Sequence, residues 1–141
     1  MLAGALRREL GSEADRVVVE SAGTAAWEGQ PATDPSLRIT GRDGVDLSEH
    51  RSRSLTRTMV READLVLVME TSHRSAVLAL GGDPARVHVI SEWPAPGDPD
   101  LPLSDPYGGS FEAYEECWQR ITRHVDRVAP HIREASRARS A

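Results

Sequence analysis

The chain has 141 residues, 39% of them hydrophobic, which suits one globular domain rather than a disulfide-stapled mini-protein or two separate cores. A formal net charge of -5, with acids and bases spread along the chain, offers no concentrated basic face, so neither nucleic acid nor an anionic membrane is an expected partner. A single cysteine, Cys117, excludes an internal disulfide and a thiolate-held zinc or iron-sulfur centre, and no apolar stretch has the length of a signal segment or a membrane span. A cytoplasmic protein without metal or cofactor is expected.

Leu2, Leu6 and Leu10 recur at four-residue spacing and predict an amphipathic helix that begins at the first residue and ends at Gly11-Ser12. Arg16 to Glu20, with three consecutive valines, predicts a strand, and Leu65 to Met69 predicts a second, fully apolar one. Continuous apolar runs of this kind suit a parallel sheet covered on both faces. Between them, Asp34-Pro35 caps a helix over Ser36 to Arg42 closed by Gly44, and Thr56 caps a helix over Arg57 to Ala63. Ser72 is the expected cap of a helix over His73 to Leu80, stopped by Gly81-Gly82, and Arg86 to Ile90 reads as a weaker third strand.

Pro94 to Pro106 is a long loop, of the kind that often carries function in a compact domain. Beyond it, Phe111, Tyr114, Trp118, Ile121, Val125, Val128 and Ile132 alternate steps of three and four, the strongest helical period in the chain. Pro130 is expected to kink or end that helix, and the tail after Arg133 to fray. Strands alternating with helices give an α/β fold: a small open parallel sheet with helices on both faces, in one domain over residues 1–141.

The chemistry is narrowed by what is missing. Lys and Asn do not occur, which removes Schiff-base chemistry, the Walker phosphate loop and N-glycosylation. The five histidines share no metal-ligand spacing, so His73, His88, His124 and His131 read as surface or helix residues. Trp118 falls on the apolar stripe of the last helix and reads as core, while Trp27 and Trp93 sit in loops, where a tryptophan either plugs the core edge or meets a ligand.

Asp105-Pro106-Tyr107-Gly108-Gly109-Ser110 leads the long loop into the last helix, with Ser110 as its cap. This segment has two readings: a turn opened by Asp-Pro and loosened by glycine, or a rigid turn that holds Asp105 to deliver a proton to a leaving oxygen. The helix at the first residue is also open to two readings. Either the fold begins with a helix, or the chain lacks the strand and loop that place an anion site before the first helix of an open α/β sheet.

Several stretches bear on these choices together: Glu20-Ser21-Ala22-Gly23-Thr24 followed by Trp27, Gly44-Val45-Asp46-Leu47 followed by His50 and Arg51-Ser52-Arg53, Ala63 to Met69, and Asp105 to Tyr114. In this order and spacing they resemble the low-molecular-weight protein tyrosine phosphatases along nearly the whole chain. The resemblance implies a four-stranded parallel sheet with helices on both faces. It also implies hydrolysis of phosphoprotein monoesters, or of a small aryl phosphate, through a phosphocysteine formed in a C-x5-R-S loop. Asp105 would then be general acid and base, Trp27 and Tyr107 aromatic walls of the substrate pocket, and Ser21 and His50 hydrogen-bonding braces of the phosphate loop.

The sequence departs from that pattern in one respect: no C-x5-R-S occurs in it. Cys117 precedes Arg123 at the formal interval but lies inside the most regular helix, where backbone N–H groups are already bonded and cannot cradle an anion. Met1 to Arg8 resembles the segment that follows the phosphate loop in the family, so the first central strand and that loop are expected upstream of Met1, and the chain as it stands is expected to be inactive. Three alternatives stand beside the tyrosine phosphatase reading: a non-catalytic relic or binding protein, a protein arginine phosphatase, and an arsenate reductase, the last needing more cysteines than one.

Overall fold

Five helices and two strands follow one another in the computed structural model, which describes residues 1–11, 16–24, 27–95 and 103–140. They are α1 (Leu2–Leu10), α2 (Asp34–Arg42), α3 (Arg57–Glu62), β1 (Val66–Val68), α4 (Thr71–Ala79), β2 (Val87–Val89), a 3-10 turn at Ile90–Glu92, and α5 (Phe111–Ser140). The architecture is α/β with a small open parallel sheet, as the alternating pattern predicts. The chain divides into two compact units: Met1–Ser21, Pro31–His50 and Asp105–Ala141 form one, Ala22–Gln30 and Arg51–Ser104 the other. Residues 96–102 of the long loop expected over Pro94 to Pro106 lie outside the described residues.

The first unit is built on α5. Tyr114, Cys117, Trp118, Ile121, Val125, Val128 and Ile132 are all buried, and α1 and α2 both pack against this helix. Asp43, directly after α2, ties the three helices together: its carboxylate accepts the Trp118 indole N–H, and its carbonyl accepts from the Arg8 guanidinium at 2.7 Å. Arg8 also lies 5.7 Å from the centre of the Trp118 ring, within cation–π range. A buried indole N–H needs such an acceptor, because leaving it unpaired costs about 1–3 kcal/mol.

Pro130 lies inside α5 without ending it, and the helix runs to Ser140 where a frayed tail was expected. The proline faces solvent, so the carbonyl of Asp126 that loses its helical donor can be hydrated instead, and the buried stripe continues through Ile132.

Residues 16–20, expected as a strand, have a turn at Arg16 and no regular structure over 17–20, and belong to no ladder among the described residues. Val18 is 84% exposed, and the Val19 carbonyl is taken by the Arg7 guanidinium. Three β-branched residues favour an extended backbone, but a strand exists only where another strand supplies its hydrogen bonds. The four-stranded sheet that the resemblance implies is therefore represented by two paired strands in the described residues.

In the second unit β1 and β2 pair in parallel, with Val66, Leu67 and Val68 opposite Val87, His88 and Val89. Val60 of α3 and Val77 of α4 are buried with Val68, Val87 and Val89 in one apolar cluster. Thr56 caps α3 as expected, its hydroxyl accepting from Met59 N at 3.1 Å. For α4 the cap is Glu70 rather than Ser72, which lies inside the helix with its hydroxyl directed back to the Glu70 carboxylate. No helix among the described residues is long and apolar enough to cross a membrane.

Gly4 marks a close approach of α1 to its surroundings, since a Cβ there would meet Val45 Cγ1 at 2.8 Å and Leu47 Cδ2 at 3.1 Å. Both neighbours are buried, and the valine is stiff at χ1. Gly4→Ala gains about 1 kcal/mol of helix propensity but overpacks the contact at about 1–3 kcal/mol. The substitution should therefore lower the melting temperature, by about 2–4 °C for each net kcal/mol. Gly41, in α2 with open space around it, is the control: Gly41→Ala should leave the transition where it is or raise it in a thermal circular-dichroism scan.

Candidate functional site

The turn before α5 carries the first group of interest. Asp105 Oδ1 accepts the backbone N–H of Tyr107 at 2.9 Å, and Gly109 N donates to the Pro106 carbonyl at 2.8 Å. Gly108 has φ 78°, a left-handed conformation that favours glycine, and a Cβ on Gly109 would stand 2.9 Å from the Pro106 carbonyl oxygen. Ser110 then caps α5, accepting from Ala113 N at 3.2 Å. The segment is a tight Asx turn that leaves the Asp105 carboxylate exposed, with its Oδ1 engaged locally, next to the capped start of α5.

Tyr107 shares that turn and is 78% exposed, so the structure brings Asp105 and Tyr107 together. Ser21 and His50 belong to the same unit and are exposed. His50 N donates to the Leu47 carbonyl at 3.1 Å, which closes the turn after Val45 and Leu47, both buried. Within that turn Asp46 accepts from Ser48 N at 2.8 Å, and Ser48 holds its carboxyl below the usual carboxylate range.

Trp27 lies in the second unit, on a loop whose two stems are stapled to residues 52–55. Gly23 N donates to the Arg53 carbonyl and Leu55 N to the Gly23 carbonyl, both at 2.9 Å. At the other stem, Gly29 N donates to the Ser52 carbonyl and Ser52 N to the Gln30 carbonyl, both at 2.8 Å. The indole itself is 82% exposed, so of the two readings for a loop tryptophan this one is not the core plug. Trp93 lies beside His88, ring centres 6.3 Å apart. Ser52 and Glu28 were not signalled by sequence as site residues; a serine or glutamate in a loop gives no period or spacing by which to find it.

Cys117 is 6% exposed on the inner stripe of α5, and burial pushes its thiol above the usual cysteine range. A nucleophilic thiol needs the opposite, a depressed pKa at a helix N-terminus or beside cations. Among the described residues no three His, Cys, Asp or Glu side chains are grouped to hold a metal ion. His124, buried on α5, has its Nδ1 accepting from Arg127 at 2.9 Å.

Two outcomes are expected for Cys117. A chromogenic disulfide reagent should label it at least about a hundredfold more slowly in the native chain than in urea, as fits a buried, protonated thiol. Because its folded pKa lies above the unfolded value of about 8.5, the unfolded chain releases the proton first. The thiol's contribution to stability is complete below that pH and is lost as pH rises beyond it, so unfolding free energies measured from neutral to alkaline pH should fall less steeply in Cys117→Ser than in the unaltered chain.

Comparison with known proteins sets these groups in context. The family profile of the low molecular weight phosphotyrosine protein phosphatases matches residues 1–138. The Ralstonia nicotianae protein described as "probable low molecular weight protein-tyrosine-phosphatase EpsP" is 34% identical over 118 residues, covering 83% of this chain and 78% of that protein. Among solved structures, Vibrio vulnificus Wzb in complex with benzylphosphonate superposes with a TM-score of 0.77 at 27% identity, covering 92% of this chain and 87% of its own. A structure of the arginine phosphatase YwlE superposes with a TM-score of 0.80 at 26% identity, covering 93% and 86%. The chain belongs to the low molecular weight phosphotyrosine protein phosphatase family.

Proposed function

We propose that this chain supplies the proton-transfer and substrate-facing groups for hydrolysis of phosphoprotein monoesters through a phosphocysteine, with Asp105 as general acid and then general base. The observation that carries this reading is the Asp105 turn: an exposed carboxylate held on a Pro-Tyr-Gly-Gly frame at the capped end of α5. A general acid must be fixed near the leaving oxygen, and a carboxylate on a turn tied to a packed helix meets that need without a long flexible arm. Tyr107 and Trp27 are the aryl-facing aromatics of the proposal, and Ser21 and His50 the supports of the phosphate-binding loop.

The attacking sulfur is not Cys117, because a buried thiol in mid-helix has neither a lowered pKa nor free amides around it to hold phosphoryl oxygens. The 141 residues are therefore inactive by themselves in this proposal. Cys117's placement equally favours a second reading, a non-catalytic relative that binds phosphoprotein without turnover. Within the catalytic reading, phosphotyrosine is the substrate the family's name points to; the likeness to YwlE makes phosphoarginine the alternative to assay beside it.

The test joins the strand and C-x5-R-S loop of a family member ahead of Met1 and measures turnover. The 141-residue chain should not hydrolyse p-nitrophenyl phosphate, and the joined protein should. In the joined protein Asp105→Ala should slow hydrolysis of a phosphotyrosine peptide by about 10²–10⁴-fold, and of p-nitrophenyl phosphate by less, because a good leaving group needs less protonation. Cys117→Ala should leave the rate standing. Turnover by the 141 residues unaided, or a joined protein indifferent to Asp105, would remove the acid-base role.

A further inference from the structure

The loop that carries Trp27 is fastened by two side chains to which the reaction gives no part. Ser52 makes four hydrogen bonds to it: its N–H donates to the Gln30 carbonyl and its carbonyl accepts from Gly29 N, both at 2.8 Å, while its hydroxyl accepts from Gln30 N at 3.0 Å and donates to the Trp27 carbonyl. One residue beyond Trp27, Glu28 Oε1 accepts the backbone N–H of Ser54 at 2.6 Å. The backbone on the C-terminal side of the indole is thus held by a hydroxyl and a carboxylate, yet the indole is 82% exposed and contributes little burial to the fold. A large aromatic whose backbone is pinned while its ring faces water is ordered for something other than packing.

We infer that Ser52 and Glu28 are positioning residues for Trp27, holding the indole in the orientation in which it stacks on the aryl group of an aryl phosphoester. This rests on the reading of Trp27 as substrate-facing given above. Ser52 bridges the Trp27 carbonyl and the Gln30 amide through one oxygen, closing the loop across the two residues between them much as a turn hydrogen bond would. Glu28 fixes the intervening segment against Ser54 through a charge-assisted bond, which is stronger than a neutral one. Preorganisation of this kind raises affinity for a flat ligand by lowering the ordering cost at binding, not by adding a contact. The expected consequence is selectivity for aryl over alkyl phosphoryl groups.

The experiment uses the 141-residue chain labelled with 5-fluorotryptophan, the Trp27 fluorine signal being assigned by its loss in Trp27→Phe, together with amide exchange by NMR. In Ser52→Ala the Gln30 amide should exchange at least about fivefold faster, and in Glu28→Ala the Ser54 amide likewise, the change expected for loss of one hydrogen bond. The Trp27 signal should shift and broaden in both variants while Trp93 and Trp118 stay in place, and Ser52→Thr, which keeps the hydroxyl, should restore it. In the likewise labelled protein joined to the strand and C-x5-R-S loop of a family member, phenylphosphonate should move the Trp27 signal, methylphosphonate should not, and Ser52→Ala should reduce the phenylphosphonate effect. Unchanged exchange and an unchanged Trp27 signal in both alanine variants would overturn the positioning role. If the variants respond but phenylphosphonate leaves Trp27 still in every form, the selectivity role falls together with the substrate-facing reading, while the fastening of the loop stands.

Discussion

Contact between the buried stripe of α5 and the helices α1 and α2 decides where everything else in the first unit can be. A large apolar side chain taken fully out of water contributes about 1.5–3 kcal/mol, whereas a hydrogen bond contributes about 0.5–1.5 kcal/mol net. The stripe from Tyr114 to Ile132 therefore fixes the axis of α5, and the polar ties add direction to a contact already made. Asp43 shows the division of labour: its carboxylate meets the Trp118 indole and its carbonyl meets Arg8, so α1 and α2 are set in register on a ring that burial has already brought in. Arg42, bonded to Glu115 at 2.9 Å on the exposed side, adds an ion pair of the weakly stabilising surface kind.

Two different devices then fix Asp105 and Trp27, the groups to which the proposed function gives chemistry. Asp105 hangs on the end of a helix that cannot shift without opening the core, and between the helix and the carboxylate lie only a serine cap, two glycines and a proline turn. Trp27 stands on no such element. Its loop is held by hydrogen bonds to residues 52–55 and not by a helix packed in the core, so its support is looser than that of the Asp105 turn. An acid must lie within a narrow distance of the oxygen it protonates, while an aromatic wall tolerates some adjustment as a ligand stacks. The stiffer support sits under the group with the tighter geometric demand.

What could be read from sequence follows how local each cause is. Thr56 and Ser110 bond amides three residues away, and both caps are where the pattern puts them. The Asp105 turn is equally local, since Asp, Pro and Gly each impose their own backbone preference. Local signals do compete, however: at α4, Glu70 takes the cap position and Ser72 falls inside the helix. Residues 16–20 fail as a predicted strand for a different reason. Their extended preference is a property of the valines, but membership of a sheet is a property of a neighbour, and the Val19 carbonyl is instead met by Arg7. Pro130 does not end α5, because the cost of a helical proline depends on whether the freed carbonyl is buried, which the sequence pattern does not state. Ser52 and Glu28 lie at the far end of this scale, their side chains being defined wholly by contacts across 22, 25 or 26 positions of chain.

Cys117 and Arg123 show why spacing is informative only together with backbone geometry. In a loop that curls around an anion, a cysteine and an arginine with five residues between them can point at one phosphoryl group, because the intervening amides turn inward with them. On an α-helix of 3.6 residues per turn the same interval rotates the second side chain by six steps of about 100°, leaving it about 120° around the axis from the first. The structure has that consequence in plain form: Cys117 is buried on the inner stripe and Arg123 is exposed. Between them each amide donates to a carbonyl four residues back, so no donor is left for an oxyanion, and burial raises the Cys117 thiol against the opposing pull of the Met1 amino group and Arg120. The interval that assembles a phosphate cradle in a loop separates the sulfur from its cation on a helix, and the same helix uses the sulfur as one more apolar contact.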